Sequence, residues 1–203
     1  MELLFCNYII DYGGGDSTDW ASVIASSGAV AVGLLALWYS NIQSNKALNA
    51  KKEEEKRIEI QTKLNEFYGP LYQLRKKSNL IYNEFRKKYA DVVDFSTLTY
   101  LLNGNTINGN EAELLKEIIK IGEKCEELIH SKAGLIDDFN LRTNVIPRAT
   151  THFLILRLAH SGNLRGDVDI FKSHVFPKEL DGLLEKRRGE LEEELNELNR
   201  VVK

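Results

Sequence analysis

Arg148, His152, Arg157 and His160 are the residues whose types and spacing best suit chemistry. Arg148 and His152 stand at i, i+4 and share one face of a helix; Arg157 and His160 stand at i, i+3 and make a second pair. A histidine that accepts a proton, beside an arginine that holds a phosphate, suits RNA cleavage by general acid–base catalysis. The favoured reading is plainer. Both histidines are structural, satisfied by caps or by carboxylates such as Asp137 or Asp138, because Arg–His pairs arise often by chance. No catalytic residue is assigned, and the four remain minority candidates for a membrane-tethered ribonuclease.

Other chemistries have less to draw on. His130, His152, His160 and His174 are scattered, with no Cys-x-x-Cys and no His-Glu-x-x-His, so neither a metal nor a cofactor is expected. Phosphate-loop, dinucleotide and serine-hydrolase signatures are absent, and no small-molecule substrate is evident. Cys125 falls on an apolar helical spine and reads as a core thiol. A locally basic face collects Arg75, Lys76, Lys77, Arg86, Lys87 and Lys88, with Glu84 the acid among them. Such a face suits RNA, phospholipid or a recruited cytoplasmic partner, but a solvated helix surface is the favoured explanation.

The elements that carry these residues read as all-α. Pro147 near the start and Gly162 past the end bound a buried helix that holds the two Arg–His pairs. Asn110 caps a helix over Glu111 to about Lys132, with Leu114, Ile118, Ile121, Cys125 and Leu128 as its spine and Ala133-Gly134 as its end. Leu71, Leu74, Ser78, Ile81, Phe85 and Tyr89 share a face of the helix that follows Gly69-Pro70, a dipeptide that marks a kink or a restart. Asp94 is the expected N-cap of a short helix over Phe95 to Leu102. Pro177 is expected to open the last helix. There Leu184, Leu191 and Leu198, with Leu195 and Val202 between, form a short coiled-coil seam broken upstream by Arg187-Arg188-Gly189. Pairing inside the fold is preferred to an intermolecular zipper.

The N-terminal part differs in kind. The 203 residues carry 27 bases and 30 acids, a net charge of −3. Residues 1–45 contain Glu2, Asp11, Asp16 and Asp19 and no base, so the remainder balances at +1. Between Asp19 and Lys46 there is no charge, and Trp20 to Ile42 is a proline-free run with aromatics at both ends. At 1.5 Å per residue it reaches about 35 Å, enough for one tilted bilayer crossing. A cleaved signal peptide would carry its bases before the apolar run, whereas here they follow it.

Lys46, Lys51, Lys52, Lys56 and Arg57 flank only the C-terminal end, which places the remainder in the cytoplasm by the positive-inside bias. The expected organisation is a head over 1–19 outside, a transmembrane helix over 20–42, a juxtamembrane helix over 43–69 and a cytoplasmic helical domain over 70–203. Ala25, Ala29 and Gly33, with Ser22 and Ser26 beside them, form a small-residue stripe that suits packing of copies. Several spans could line a pore with Ser22, Ser26 and Ser40.

One N-terminal span, a charged helix, the Phe67-Tyr68-Gly69-Pro70-Leu71 kink and the Thr151-His152-Phe153-x-x-Leu156-x-Leu158-Ala159 helix resemble a broad group of small bacterial membrane-anchored helical proteins. Within it the chain most resembles the small accessory membrane protein of type VI-B CRISPR systems. The resemblance implies a homo-oligomer in the inner membrane that forms a pore. It further implies support of antiphage defence beside an RNA-guided nuclease or its RNA products. That family is described as carrying a divergent HEPN motif, Arg-x4–6-His. Three residues separate Arg148 from His152 and two separate Arg157 from His160, so neither pair matches and no catalytic residue transfers.

Overall fold

The computed structural model describes residues 20–92, 95–166, 168–171 and 174–201, with the side chains of 20–35, 168 and 201 left aside. Among the described residues every regular element is helical: α1 (Trp20–Lys63), α2 (Gly69–Lys87), α3 (Thr97–Leu102), α4 (Asn110–Ser131), α5 (Ile146–His160), α6 (Val168–Phe171) and α7 (Glu179–Val201). The all-α expectation therefore holds. The chain divides into two compact units, 1–52 and 53–203, and α1 contributes to both.

In the first unit, Leu37, Trp38, Tyr39 and Leu48 are exposed. Among the described residues no helix is long and apolar enough to cross a membrane. From Lys46 onward α1 is too heavily charged for that. The head over 1–19, and the side chains of Ser22, Ala25, Ser26, Ala29 and Gly33, lie outside the described residues. Ser40 is exposed.

The second unit is built on two apolar clusters. The larger joins Ile60, Phe67, Tyr68 and Leu71 to Ile121, Cys125 and Ile129 of α4, Ala149 and Phe153 of α5, and Leu180, Leu184 and Leu191 of α7. The smaller gathers Phe85, Leu98, Leu101, Leu102, Leu115, Ile155 and Leu156. Helix α2 lies mainly against α4, and α4 against α5. Gly122 makes that second approach possible, because a Cβ there would stand 3.1 Å from the Phe153 ring.

The Gly69-Pro70 site is neither a sharp kink nor a clean break. Proline lacks an N–H and its ring crowds the carbonyl four residues back. The backbone answers with a π-helical turn over Leu64–Tyr68, in which Gly69 N–H reaches Leu64 O and the chain stays in the right-handed helical region. The same device recurs before Pro147, where Leu141–Val145 forms a π turn and Ile146 N–H reaches Leu141 O. The first turn points Phe67 and Tyr68 fully into the core, edge to face at 5.0 Å.

Several boundaries differ from the sequence expectation. Ser96, not Asp94, caps α3, its Oγ accepting from Thr99 N–H at 3.3 Å; Asp94 lies outside the described residues. Gly109, at φ 73°, holds the cap position before α4, and Asn110 is already helical. The buried stripe of α4 centres on Leu115, Ile121, Cys125 and Ile129, while Leu114, Ile118 and Leu128 are half-buried at its margin. Helix α7 begins at Glu179, two residues after Pro177, and runs unbroken through Arg187-Arg188-Gly189. Its leucines face the fold's own core: Leu180, Leu184 and Leu191 are fully buried, and Leu195 and Leu198 lie against the same cluster. Helix α5 ends as expected in a cap, with Gly162 N–H to Ala159 O and Asn163 N–H to Leu158 O.

Candidate functional site: a polar cavity between α2, α3, α5 and the start of α7

The sequence-predicted pairs do not assemble. Arg148 is exposed and donates to Glu179 at 2.6 Å. His152 is turned toward another partner, with Nδ1 2.8 Å from the His174 carbonyl oxygen. A carbonyl only accepts, so Nδ1 carries the proton and Nε2 the lone pair. Burial pushes the imidazole below its ordinary pKa and the charge of Arg75 adds to that, against the pull of the His174 carbonyl. His152 is thus a neutral ring at neutral pH. Arg157 is held between Glu123 and Glu126 of α4, and His160 is exposed. Asp137 and Asp138 serve neither histidine. Asp138 accepts from Leu141 N–H at 2.6 Å, and Asp137 takes part in a separate network.

That network joins three parts of the second unit. Asp137 accepts from Tyr68 Oη at 2.7 Å and from Arg187 at 2.8 and 3.2 Å, and Lys63 Nζ stands 3.1 Å away. Burial favours the protonated carboxyl, but bonds from Arg187, Tyr68 and Lys63 outweigh it and hold Asp137 well below the usual carboxylate range. Arg187 also reaches Glu190 and Glu194 along its own helix.

The basic face is largely taken up by the fold. Arg75 is buried rather than solvated. Lys87 pairs with Glu84, Lys88 with Glu111, and Lys76 lies 3.9 Å from Glu185 and over the Tyr72 ring. Arg86 is half-buried, donates to Phe95 O at 3.1 Å and stacks over the Phe95 ring at 5.0 Å. Lys77 is exposed.

What periodicity did not reveal is a cavity of about 570 Å³ to which α2, α3, α5 and the segment entering α7 all contribute. Arg75 is its organising residue. Its Nε and Nη2 bind the two oxygens of Asp181 at 2.9 and 3.1 Å, Nη2 also reaches Asn79, and Asn79 Nδ2 returns to Asp181 at 2.7 Å. The guanidinium lies 4.1 Å from the Phe176 ring centre and 5.8 Å from that of Phe153. Burial raises the Asp181 pKa, but the bond and charge of Arg75 outweigh it and leave the carboxyl lowered. Ser78 and Thr97 are buried in the same wall, and the Thr97 hydroxyl has no hydrogen-bond partner. The polar side chains of α2 at positions 75, 78, 79, 82 and 86 share an i, i+3/i+4 row.

Among the described residues no group of His, Cys, Asp and Glu could hold a metal ion. Cys125 is buried, and burial pushes its thiol up to about 11, so it is protonated and inert at neutral pH. Comparison of the chain with protein-family models, with curated proteins and with solved structures finds no match.

Proposed function

We propose that this chain is a membrane-anchored, non-enzymatic helical protein that assembles with copies of itself and supports antiphage defence as an effector or accessory. The observation that carries the membrane reading is the charge distribution: no charge between Asp19 and Lys46, and every base after that run. The anchor is the stretch 20–42 in the inner membrane, with the N-terminus outside and the bundle in the cytoplasm. Copies associate through the row of Ala25, Ala29 and Gly33, and the defence role rests on the resemblance to the type VI-B accessory proteins. A ribonuclease reading is less favoured, because Arg148 is spent on Glu179 and His152 on a backbone carbonyl.

The test is expression of the full chain in a bacterial host with a membrane-potential dye, alongside alkaline extraction of membranes and sizing in detergent. Retention in the extracted membrane, an oligomer in detergent and depolarisation under phage challenge are expected. Release from membranes by alkali overturns the anchor. A monomer in detergent with unchanged potential overturns the assembly and pore reading.

A further inference from the structure

The cavity beside Arg75 has more hydrogen-bond donors than acceptors left to offer. Both Asp181 oxygens and the Asn79 carbonyl oxygen are already taken by Arg75 and Asn79. Arg75 Nη1, by contrast, makes no hydrogen bond among the described residues, although the residue is only 6% exposed. Arg86 uses Nη1 alone, on Phe95 O, which leaves Nε and Nη2. Lys178 lines the same cavity, is exposed at its rim and makes no ion pair among the described residues. Thr97 adds a buried hydroxyl without a partner at 8% exposure. Of these groups the Thr97 hydroxyl is buried without a partner, while Arg86 is half-buried and Lys178 exposed; together with Arg75 they place unused donors along one partly open wall, and a bound acceptor would satisfy them.

The missing partner must be rich in acceptors and negative. Apart from Asp181, which is neutralised by Arg75, the charged lining is Arg86 and Lys178. The rest of the wall mixes apolar Leu98, Leu156 and Val175 with polar Ser78, Ser96 and His152, and carries Phe95 and Phe176 already under the two guanidinium groups and Tyr82 at the edge. Arginine forks favour phosphate oxygens, and aromatic faces favour a planar ring. The volume of about 570 Å³ falls within the range of sites that hold small organic ligands.

We propose that this cavity is a binding site for a small organic phosphate carrying a planar ring, of mononucleotide size. The phosphate takes its bonds from Arg86, Lys178 and the free end of Arg75. The ring lies against Phe176 and Tyr82, because Phe95 is already stacked on Tyr89 and lies under Arg86, and Thr97 satisfies its hydroxyl on the ligand. The Arg75–Asp181–Asn79 cluster orients the Arg75 fork and does not itself leave. The site does not depend on whether residues 20–42 enter a membrane.

Thermal unfolding of the full chain in detergent tests this with the four ribonucleoside 5′-monophosphates, the four uncharged nucleosides and inorganic phosphate. At least one monophosphate is expected to raise the midpoint in a dose-dependent way, while its nucleoside at equal concentration does not. Lys178 is exposed and unpaired among the described residues, so Lys178→Ala is expected to keep its unliganded midpoint and weaken binding severalfold. The double variant Arg86→Ala/Lys178→Ala also loses the bond to Phe95 O, so its response is read from its own unliganded midpoint, and it is expected to need at least tenfold more ligand for the same shift. Thr97→Val tests the hydroxyl separately and is expected to weaken binding severalfold. No shift with any of the four monophosphates overturns the proposal, as does an unchanged response in the double variant. A response to single-stranded RNA oligomers without one to the monophosphates also overturns it, and assigns the surface to a nucleic acid instead.

Discussion

Arg75 and its partners show how much depends on whether one charge is buried. Removing one member of a buried pair leaves the other unpaired and costs about 3–5 kcal/mol. Asp181 is 29% exposed at its side chain, which moderates the penalty. Arg75→Ala and Asp181→Asn are therefore each expected to lose about 3 kcal/mol in urea unfolding, with less than additive loss in the double variant. A fully additive double variant would separate the two residues energetically. His152 makes a pH-dependent contribution. Its folded pKa lies below the ordinary 6.5 or so, so the unfolded chain binds more protons through that interval. Stability is full above about pH 6.5 and falls as pH drops toward the folded value. Asp137 and Asp181, also lowered, take stability away in the same direction below about pH 4. The histidine part is read as the loss of slope below about pH 6.5 in His152→Gln, followed by urea midpoints; an unchanged slope would remove it.

At the scale of elements, the two π turns matter most. Each absorbs a proline without ending the helix, and the first sets Phe67 and Tyr68 into the core. A Cβ at Gly69 would stand 2.6 Å from Leu64 O, closer than a Cβ approaches a non-bonded atom in folded proteins. Gly69→Ala is expected to cost about 2 kcal/mol by forcing that turn to rearrange. Gly122→Val should likewise drive α4 from the Phe153 ring and cost about 2 kcal/mol, both measured by chemical denaturation. In α7, Leu184 is wholly enclosed while Leu198 lies at the margin. Leu184→Ala is expected to cost about 3 kcal/mol and Leu198→Ala clearly less. Equal losses, or a midpoint that depends on protein concentration, would mean the seam pairs between chains.

For the whole molecule, the separation into 1–52 and 53–203 has a direct consequence. Among the described residues, every member of both buried clusters falls at or after Ile60. Residues 53–203 alone are therefore expected to unfold cooperatively, with a concentration-independent midpoint close to that of the full chain. A noncooperative transition would show that the N-terminal unit holds the bundle together. The same division separates two features: the uncharged run that motivates an anchor lies in the first unit, and the polar cavity lies in the second.

Helix positions and core stripes were legible in the sequence because they are local. The 3.6-residue repeat of Leu71, Ser78 and Phe85, the cap before α4 to within a residue, the Gly162 stop and the core position of Cys125 all depend on neighbours a few residues away. The all-helical class and the inward face of α7 follow from the same periodicity. The fate of the charges did not follow from it. Arg75 and Lys77 stand two positions apart in one basic run, yet one is buried on Asp181 and the other is solvated. That choice was made by a carboxylate 106 residues away. Likewise Arg148 and His152 share a helix face, but the first residue of α7, Glu179, takes Arg148 and the segment before it, at His174, takes His152. The cavity belongs to no single segment, since four stretches must converge before its unused donors lie together. Local spacing settles helix and core; where a charge ends up depends on what desolvation and long-range pairing place opposite it.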